Sequence, residues 1–143
     1  MSARALLLDV NVLLALGWAE HEAHESVVER LSRRPAPVWA TCPITQLGFI
    51  RISSTSGVFS HTLSPKQAHA ALSALCEDAR HRFLSQHPGV IECDFSLLGG
   101  PRQTTDAYLV ALARHHRLHL LTLDGRLVNA FPDAPVELLQ PRG

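Results

Sequence analysis

Three aspartates stand where a carboxylate is expensive to keep. Asp9 is the one ionisable side chain in LLLDVNVLLAL, Leu6 to Leu16. Asp124 closes the apolar run LHLLTLD, and Asp106 sits in TTDAYLVALA. An ionised carboxylate buried without a partner is unfavourable, so such groups are paired, hydrogen-bonded, metal-bound or neutralised. At an effective dielectric of ~20, two carboxylates ~4 Å apart repel by about 4 kcal/mol. If the three converge, either their pKa values rise or a divalent cation sits among them, and all-oxygen ligands suit Mg2+ or Mn2+. Singly, each has a plainer reading. Asp9 caps the helix after it, Asp106 answers a helix dipole, and Asp124 makes a turn before Gly125.

Whether they converge depends on the elements that carry them. Arg4 to Leu8 reads as a short buried strand, and Val10 to Trp18 as an apolar helix directly after it. His21 to Arg34 reads as a helix with Val27, Val28 and Leu31 on one face and its acids ahead of its arginines, the order a helix dipole favours. Pro35 and Pro37 end it. VWAT, Val38 to Thr41, is a second strand, and Pro43 opens the next helix, where Pro is well tolerated. After a loop at Ser53 to Gly57, SPKQAHAALSALCEDARHRFL reads as one long helix with Ser64 as N-cap and Pro65 behind it. Gly89 precedes a third strand expected at Val90 to Cys93, and Gly99-Gly100-Pro101 is a loop. TTDAYLVALARHH is a Thr-capped helix with Tyr108, Leu109, Leu112 and Ala113 on its apolar face. Leu118 to Asp124 is the fourth strand and Val136 to Leu139 the fifth.

Continuous apolar strands alternating with helices predict a parallel sheet covered on both faces. The expected fold is a three-layer α/β (αβα) domain with four to five strands, one domain over residues 1–143. Ligands of such sheets bind outside the carboxyl ends of the strands. Asp9 and Asp124 fall at two such ends, and Asp106 joins them if the first and fourth strands are neighbours.

Composition sets the outer limits. Hydrophobic residues are 46% and charged residues 18% of the 143, a globular balance. No apolar run approaches the ~20 residues that span a bilayer, and the N-terminal run lacks a signal-type cleavage site, so a cytoplasmic protein without membrane contact is expected. Cys42, Cys76 and Cys93 are odd in number and widely spaced, which fits a reducing cytosol better than a disulfide framework or zinc knuckle. Formal net charge is zero, so no global positive field advertises nucleic acid. Twelve Arg stand against one Lys, a bias that suits phosphate recognition but also follows from genomic base composition.

LLLDVNVLLAL, CPITQLGFIR, TTDAYLVALA and LLTLDGRL, in this order and spacing, resemble the four signature stretches of PIN-domain proteins, and more narrowly of VapC-type ribonuclease toxins of bacterial toxin–antitoxin pairs. The resemblance runs from Leu6 to about Leu127. It implies a PIN-like fold and a Mg2+-dependent (Mn2+ possible) endoribonuclease, with Asp9, Asp106 and Asp124 as catalytic metal ligands. The ion would orient water for in-line attack on a phosphodiester and stabilise charge on the phosphate oxygens. It also implies neutralisation by a cognate antitoxin protein and a homodimer. The departure is Gln46, where the family commonly has an acid. Gln offers a carbonyl oxygen but no charge, so affinity weakens or a second ion is lost. Asn11 is placed to hold an outer-sphere water or to orient Asp9, and Thr105 to bond the acids or cap its helix. Arg51, Arg102 and Arg126 lie beside the motifs as candidate contacts to RNA phosphates.

Other signals are weaker. HEAH, His21 to His24, is one residue short of the zinc-protease spacing, and no nucleophile elbow or Walker-type loop occurs. Trp18, Trp39 and Tyr108 read as core. The competing function is a catalytically weakened PIN-fold module that binds RNA or protein, with Gln46 marking the loss. A haloacid-dehalogenase-type phosphoryl transfer through Asp9 lacks a second acid at Asn11 and a placed Lys.

Overall fold

The computed structural model describes residues 3–85, 88–96 and 98–141. Among them, β1 (Leu6–Leu8), β2 (Trp39–Thr41), β3 (His81–Phe83), β4 (His119–Thr122) and β5 (Val136–Leu138) form one sheet in the order β3-β2-β1-β4-β5. Every pairing is parallel, with Leu8 opposite Leu121 across β1 and β4. The helices are α1 (Val10–Gly17), α2 (His24–Ser32), α3 (Pro43–Ser53), α4 (Pro65–Leu75), α5 (Thr104–His115) and α6 (Gly125–Ala130).

The apolar strand LLL has to be buried on both faces, and it is. Leu6 and Leu8 pack into one core with Val12, Leu13, Val27, Trp39 and Phe49 from α1, α2, β2 and α3. Leu7, pointing the other way, packs with Tyr108, Leu109, Leu112 and Leu127 from α5 and α6. Two cores on either side of one sheet give the three layers expected. Each fully buried Leu contributes roughly 1.5–3 kcal/mol relative to exposure, so the centre of the sheet is its most firmly held part. Trp18, Trp39 and Tyr108 are buried, as expected of core.

Four expectations need correction. The third strand is His81–Phe83, and Val90–Glu92 is instead a 3-10 turn in which Ile91 is 97% exposed. The long helix from Ser64 stops at Leu75, where the Cys76 N–H bonds the Leu72 carbonyl. Asp78 then builds a turn by accepting from Arg80 N, and the chain enters β3. As an edge strand, β3 pairs with β2 alone and needs no apolar run. The N-cap of α5 is Gln103, with no side-chain bond; Thr104 Oγ1 donates to Pro101 O, and Thr105 is exposed. On α2, Val27 and Leu31 are buried as expected, but Val28 is exposed. No helix among the described residues is long and apolar enough to cross a membrane.

Candidate active site between β1 and β4

The chain winds from β1 outward to β3, then returns to place β4 and β5 on the other side of β1. The carboxyl ends of β1 and β4 therefore flank a topological switch point, the usual ligand crevice of an open parallel sheet. Asp9 follows β1 directly and Asp124 stands two residues beyond β4. Asp106 enters from the first turn of α5.

Asp9 is 8% exposed, and both its oxygens have protein partners. Oδ1 accepts from Val10 N at 2.8 Å, capping α1, and Oδ2 accepts from Thr122 Oγ1 at 2.7 Å. Burial pushes its carboxyl up, the Thr122 and Val10 bonds oppose this, and Asp124 pushes it up further. The capping reading of Asp9 is thus correct, and it coexists with a place in the acidic crevice. Asp124 Oδ1 accepts from Arg126 N at 3.0 Å, capping α6, and pairs with Arg126 Nε at 3.3 Å. Asp106 meets no hydrogen-bond donor among the described residues. Its carboxyl is raised to about 6, first by burial, then by the charges of Asp9 and Asp124, with Arg126 opposing. The three acids therefore share one electrostatic environment.

Thr122 is the residue that sequence reasoning missed. Fully buried, its hydroxyl accepts from Asp124 N at 3.1 Å and from Asn11 Nδ2 at 3.4 Å, and donates to Asp9. Its two other partners are obligate donors, so its single proton goes to the carboxylate. One hydroxyl thereby ties the side chain of Asp9 to the backbone of Asp124. Asn11 Oδ1 accepts from Leu123 N at 3.2 Å, so Asn11 reaches Asp9 through Thr122 instead of directly. A hydroxyl two positions before a strand-closing acid, in an otherwise apolar run, was the available signal.

The remaining candidates lie apart from this bonding. Gln46 Nε2 donates to Thr41 Oγ1 at 3.0 Å and lies 3.9 Å from Cys76 Sγ, so its amide nitrogen bonds none of the three acids. Thr105 is exposed and makes no bond to them. Arg126 is exposed beside Asp124, Arg102 is exposed in the 3-10 turn ahead of α5, and Arg51 is exposed in the last turn of α3.

The donor set suits a hard divalent cation: three carboxylates, one of them without a hydrogen bond among the described residues and destabilised by burial and by its neighbours' charge. No three His, Cys, Asp or Glu side chains among the described residues are drawn into a closed metal-holding group. Arg126 holds one oxygen of Asp124, and the Asp9 oxygens are both engaged. The acids are thus gathered and electrostatically coupled without being closed around a point.

The PIN domain family matches residues 6–131. The chain belongs to the PIN-domain family, and within it to the VapC group. Ribonuclease VapC38 of Mycobacterium tuberculosis is 39% identical over 136 residues, covering 93% of this chain and 96% of that protein. Ribonuclease VapC39 of the same species is 36% identical over 136 residues, covering 93% and 98%. Among solved structures, VapBC-1 from nontypeable Haemophilus influenzae superposes with a TM-score of 0.66 at 18% identity, covering 94% of this chain and 97% of its own. Mycobacterium tuberculosis VapC20, described as a Sarcin-Ricin loop cleaving toxin, gives 0.60 at 15% identity, covering 88% and 95%. At those identities the superpositions bear on the fold, which they match.

Proposed function

We propose that this chain is a divalent-metal-dependent endoribonuclease that acts as the toxin of a toxin–antitoxin pair. The observation that carries the reading is Asp106, raised to about 6 beside two further carboxylates at the switch point of the sheet. A divalent cation would relieve the mutual repulsion of such a cluster at neutral pH. Asp9, Asp106 and Asp124 would hold Mg2+ or Mn2+, which supplies charge neutralisation at the phosphate and an activated water for hydrolysis of a P–O bond.

The protein's own contribution is positional. Thr122 fixes Asp9, and through the Asp124 N–H it fixes the start of α6. Asn11 holds Thr122 from the other side. Arg126 offsets part of the acidic field, and Arg126, Arg102 and Arg51, all exposed, would contact RNA phosphates. The VapC relatives support an RNA substrate, and the VapBC neighbour supports an antitoxin partner. We assign the antitoxin, a homodimer and a cytoplasmic location to the same reading.

The second reading, a binding module without catalysis, is favoured by Gln46, which adds no fourth charge and bonds away from the acids. Cleavage of total RNA across a Mn2+ and Mg2+ titration separates the two. Metal-dependent cutting by wild type that disappears in Asp106→Asn supports the nuclease. RNA binding without cutting at any metal concentration leaves the binding module.

A further inference from the structure

Gln46 bonds away from the acids, and the chain it joins fixes which end of its amide is available. Thr41, fully buried at the end of β2, has His81 Nε2 at 2.7 Å and Gln46 Nε2 at 3.0 Å from its hydroxyl oxygen. His81 also bonds the Cys76 backbone, and burial favours its neutral ring. In a neutral imidazole that donates to a carbonyl from one nitrogen, the other nitrogen is an acceptor. The Thr41 proton therefore goes to His81 Nε2, the Thr41 oxygen accepts, and Gln46 must present its NH2. A flipped amide would set two acceptors against each other. Gln46 Oε1 is left without a donor among the described residues.

Gln46 lines a groove of about 380 Å³ with Pro43, Leu47, Leu72, Cys76 and Phe83. Leu47 is 63% and Phe83 46% exposed, large values for apolar side chains beside a cavity. No Asp, Glu, Lys or Arg among the described residues lines it; His69 and Ser73 are its other polar side chains beside Gln46, and the remaining walls are apolar or thiol, a lining that suits a neutral ring better than a phosphate. It also lies along the same edge of the sheet as the acids. β2 is the neighbour of β1, and α3 rides directly on α1 because Gly48 has no side chain: a Cβ there would meet Val10 Cγ2 at 2.8 Å. With strands ~4.8 Å apart, the ends of β2 and β3 lie about two strand spacings from the β1–β4 crevice, near enough for one RNA strand to reach both.

The geometry points to a nucleobase subsite in this groove, where an unpaired RNA base packs on Phe83 and Leu47 and gives an exocyclic amino hydrogen to Gln46 Oε1. This rests on the ribonuclease reading above. Stacking accepts any base; an acceptor placed for an exocyclic amino hydrogen favours adenine, cytosine or guanine over uracil, whose donor on that edge is the ring N3–H, set back from the amino position.

The test measures binding, without divalent metal, of Asp106→Asn protein to short oligouridine carrying one adenosine, cytidine or guanosine. All-uridine and inosine-containing oligomers are the amino-free controls. The subsite predicts about fivefold tighter binding of at least one amino-bearing oligomer, the size of one hydrogen bond. It predicts that Gln46→Met abolishes that preference, and that Phe83→Ala weakens all oligomers about tenfold. The guanosine-to-inosine change needs no substitution in the groove and, without divalent metal, can be read on wild type as well as on Asp106→Asn, so a misfolded variant leaves it readable. Equal binding of all oligomers, or a preference that survives Gln46→Met, overturns the inference. So does a change in oligomeric state by light scattering in Phe83→Ala with base preference intact, which would mean that a second copy covers the groove. Metal-dependent cleavage by wild type judges the nuclease reading separately.

Discussion

Two threonines, Thr122 at the end of β4 and Thr41 at the end of β2, flank β1 on either side, and both are fully buried. Each is the hub of a hydrogen-bonded cluster at the carboxyl edge of the sheet. Thr122 gives its proton to a carboxylate, Asp9, and accepts from a backbone N–H and the Asn11 amide. Thr41 faces neutral groups, the Gln46 amide and the His81 ring. The same strand-end device thus serves a charged site on one side and an uncharged groove on the other. What differs is the residue brought to the hub: an acid from the end of β1, an amide from the first turn of α3.

The largest effect should come from the charged side. Asp106→Asn is expected to lower metal-dependent RNA cleavage about 10²–10³-fold, the range seen when one preorganised electrostatic group is lost; retained cutting would remove Asp106 from the mechanism. Next, Thr122→Val should weaken Mn2+ affinity and cleavage about 10–100-fold, as for residues that orient metal ligands, with Thr122→Ser near wild type. Thr41→Val should leave Mn2+ affinity unchanged while lowering stability to denaturant by about 1–3 kcal/mol, because His81 and Gln46 lose their shared partner. Equal losses of metal affinity in both Val variants would erase the distinction between the hubs.

A smaller effect is linkage to pH. Asp106 has a folded-state pKa of about 6, raised from 3.8. A raised carboxyl binds its proton more tightly when folded, so its contribution is full below about 4 and is lost as pH rises through 6. Asp9, raised as well, acts in the same direction. Partly buried His21, His81 and His119, whose lowered pKa values favour the neutral ring, act in the opposite direction. The Asp106 part is therefore read by difference: from pH 5 to pH 7.5 the melting temperature of metal-free Asp106→Asn should fall less, or rise more, than that of wild type. Half-exposure of the site limits the Asp106 contribution to on the order of 1 kcal/mol after solvent screening. The smallest expected change is in Gln46→Glu. A carboxylate there would accept from Thr41, reversing the bond to His81, so histidine NMR should show the His81 pKa rise while Mn2+ affinity stays at the wild-type value.

The sequence made the centre of the molecule readable and its periphery less so. LLL is an unbroken apolar run and LHLLT a largely apolar one, the pattern of strands buried on both faces, and the acids closing them marked the crevice. β3 was illegible because HRF is polar and an edge strand is held by backbone pairing to one neighbour. The end of α4 carries no Gly or Pro; a turn built on Asp78 does the work. α6 has only the six residues Gly125–Ala130, too few to show a period. Thr122 reads as an ordinary β-branched strand residue until Asp9, 113 positions away in sequence, is seen beside it. Which way Gln46 faces was likewise decided by Thr41 and His81, partners on two other elements.

The central claim is that three carboxylates share one crevice and are relieved by a divalent cation. Carbon-13 NMR titration of the Asp106 carboxyl, without and with Mg2+, tests it directly. The account predicts a midpoint of about 6 in metal-free protein, falling well below that when Mg2+ is added. A midpoint in the ordinary carboxylate range that Mg2+ does not move would contradict it.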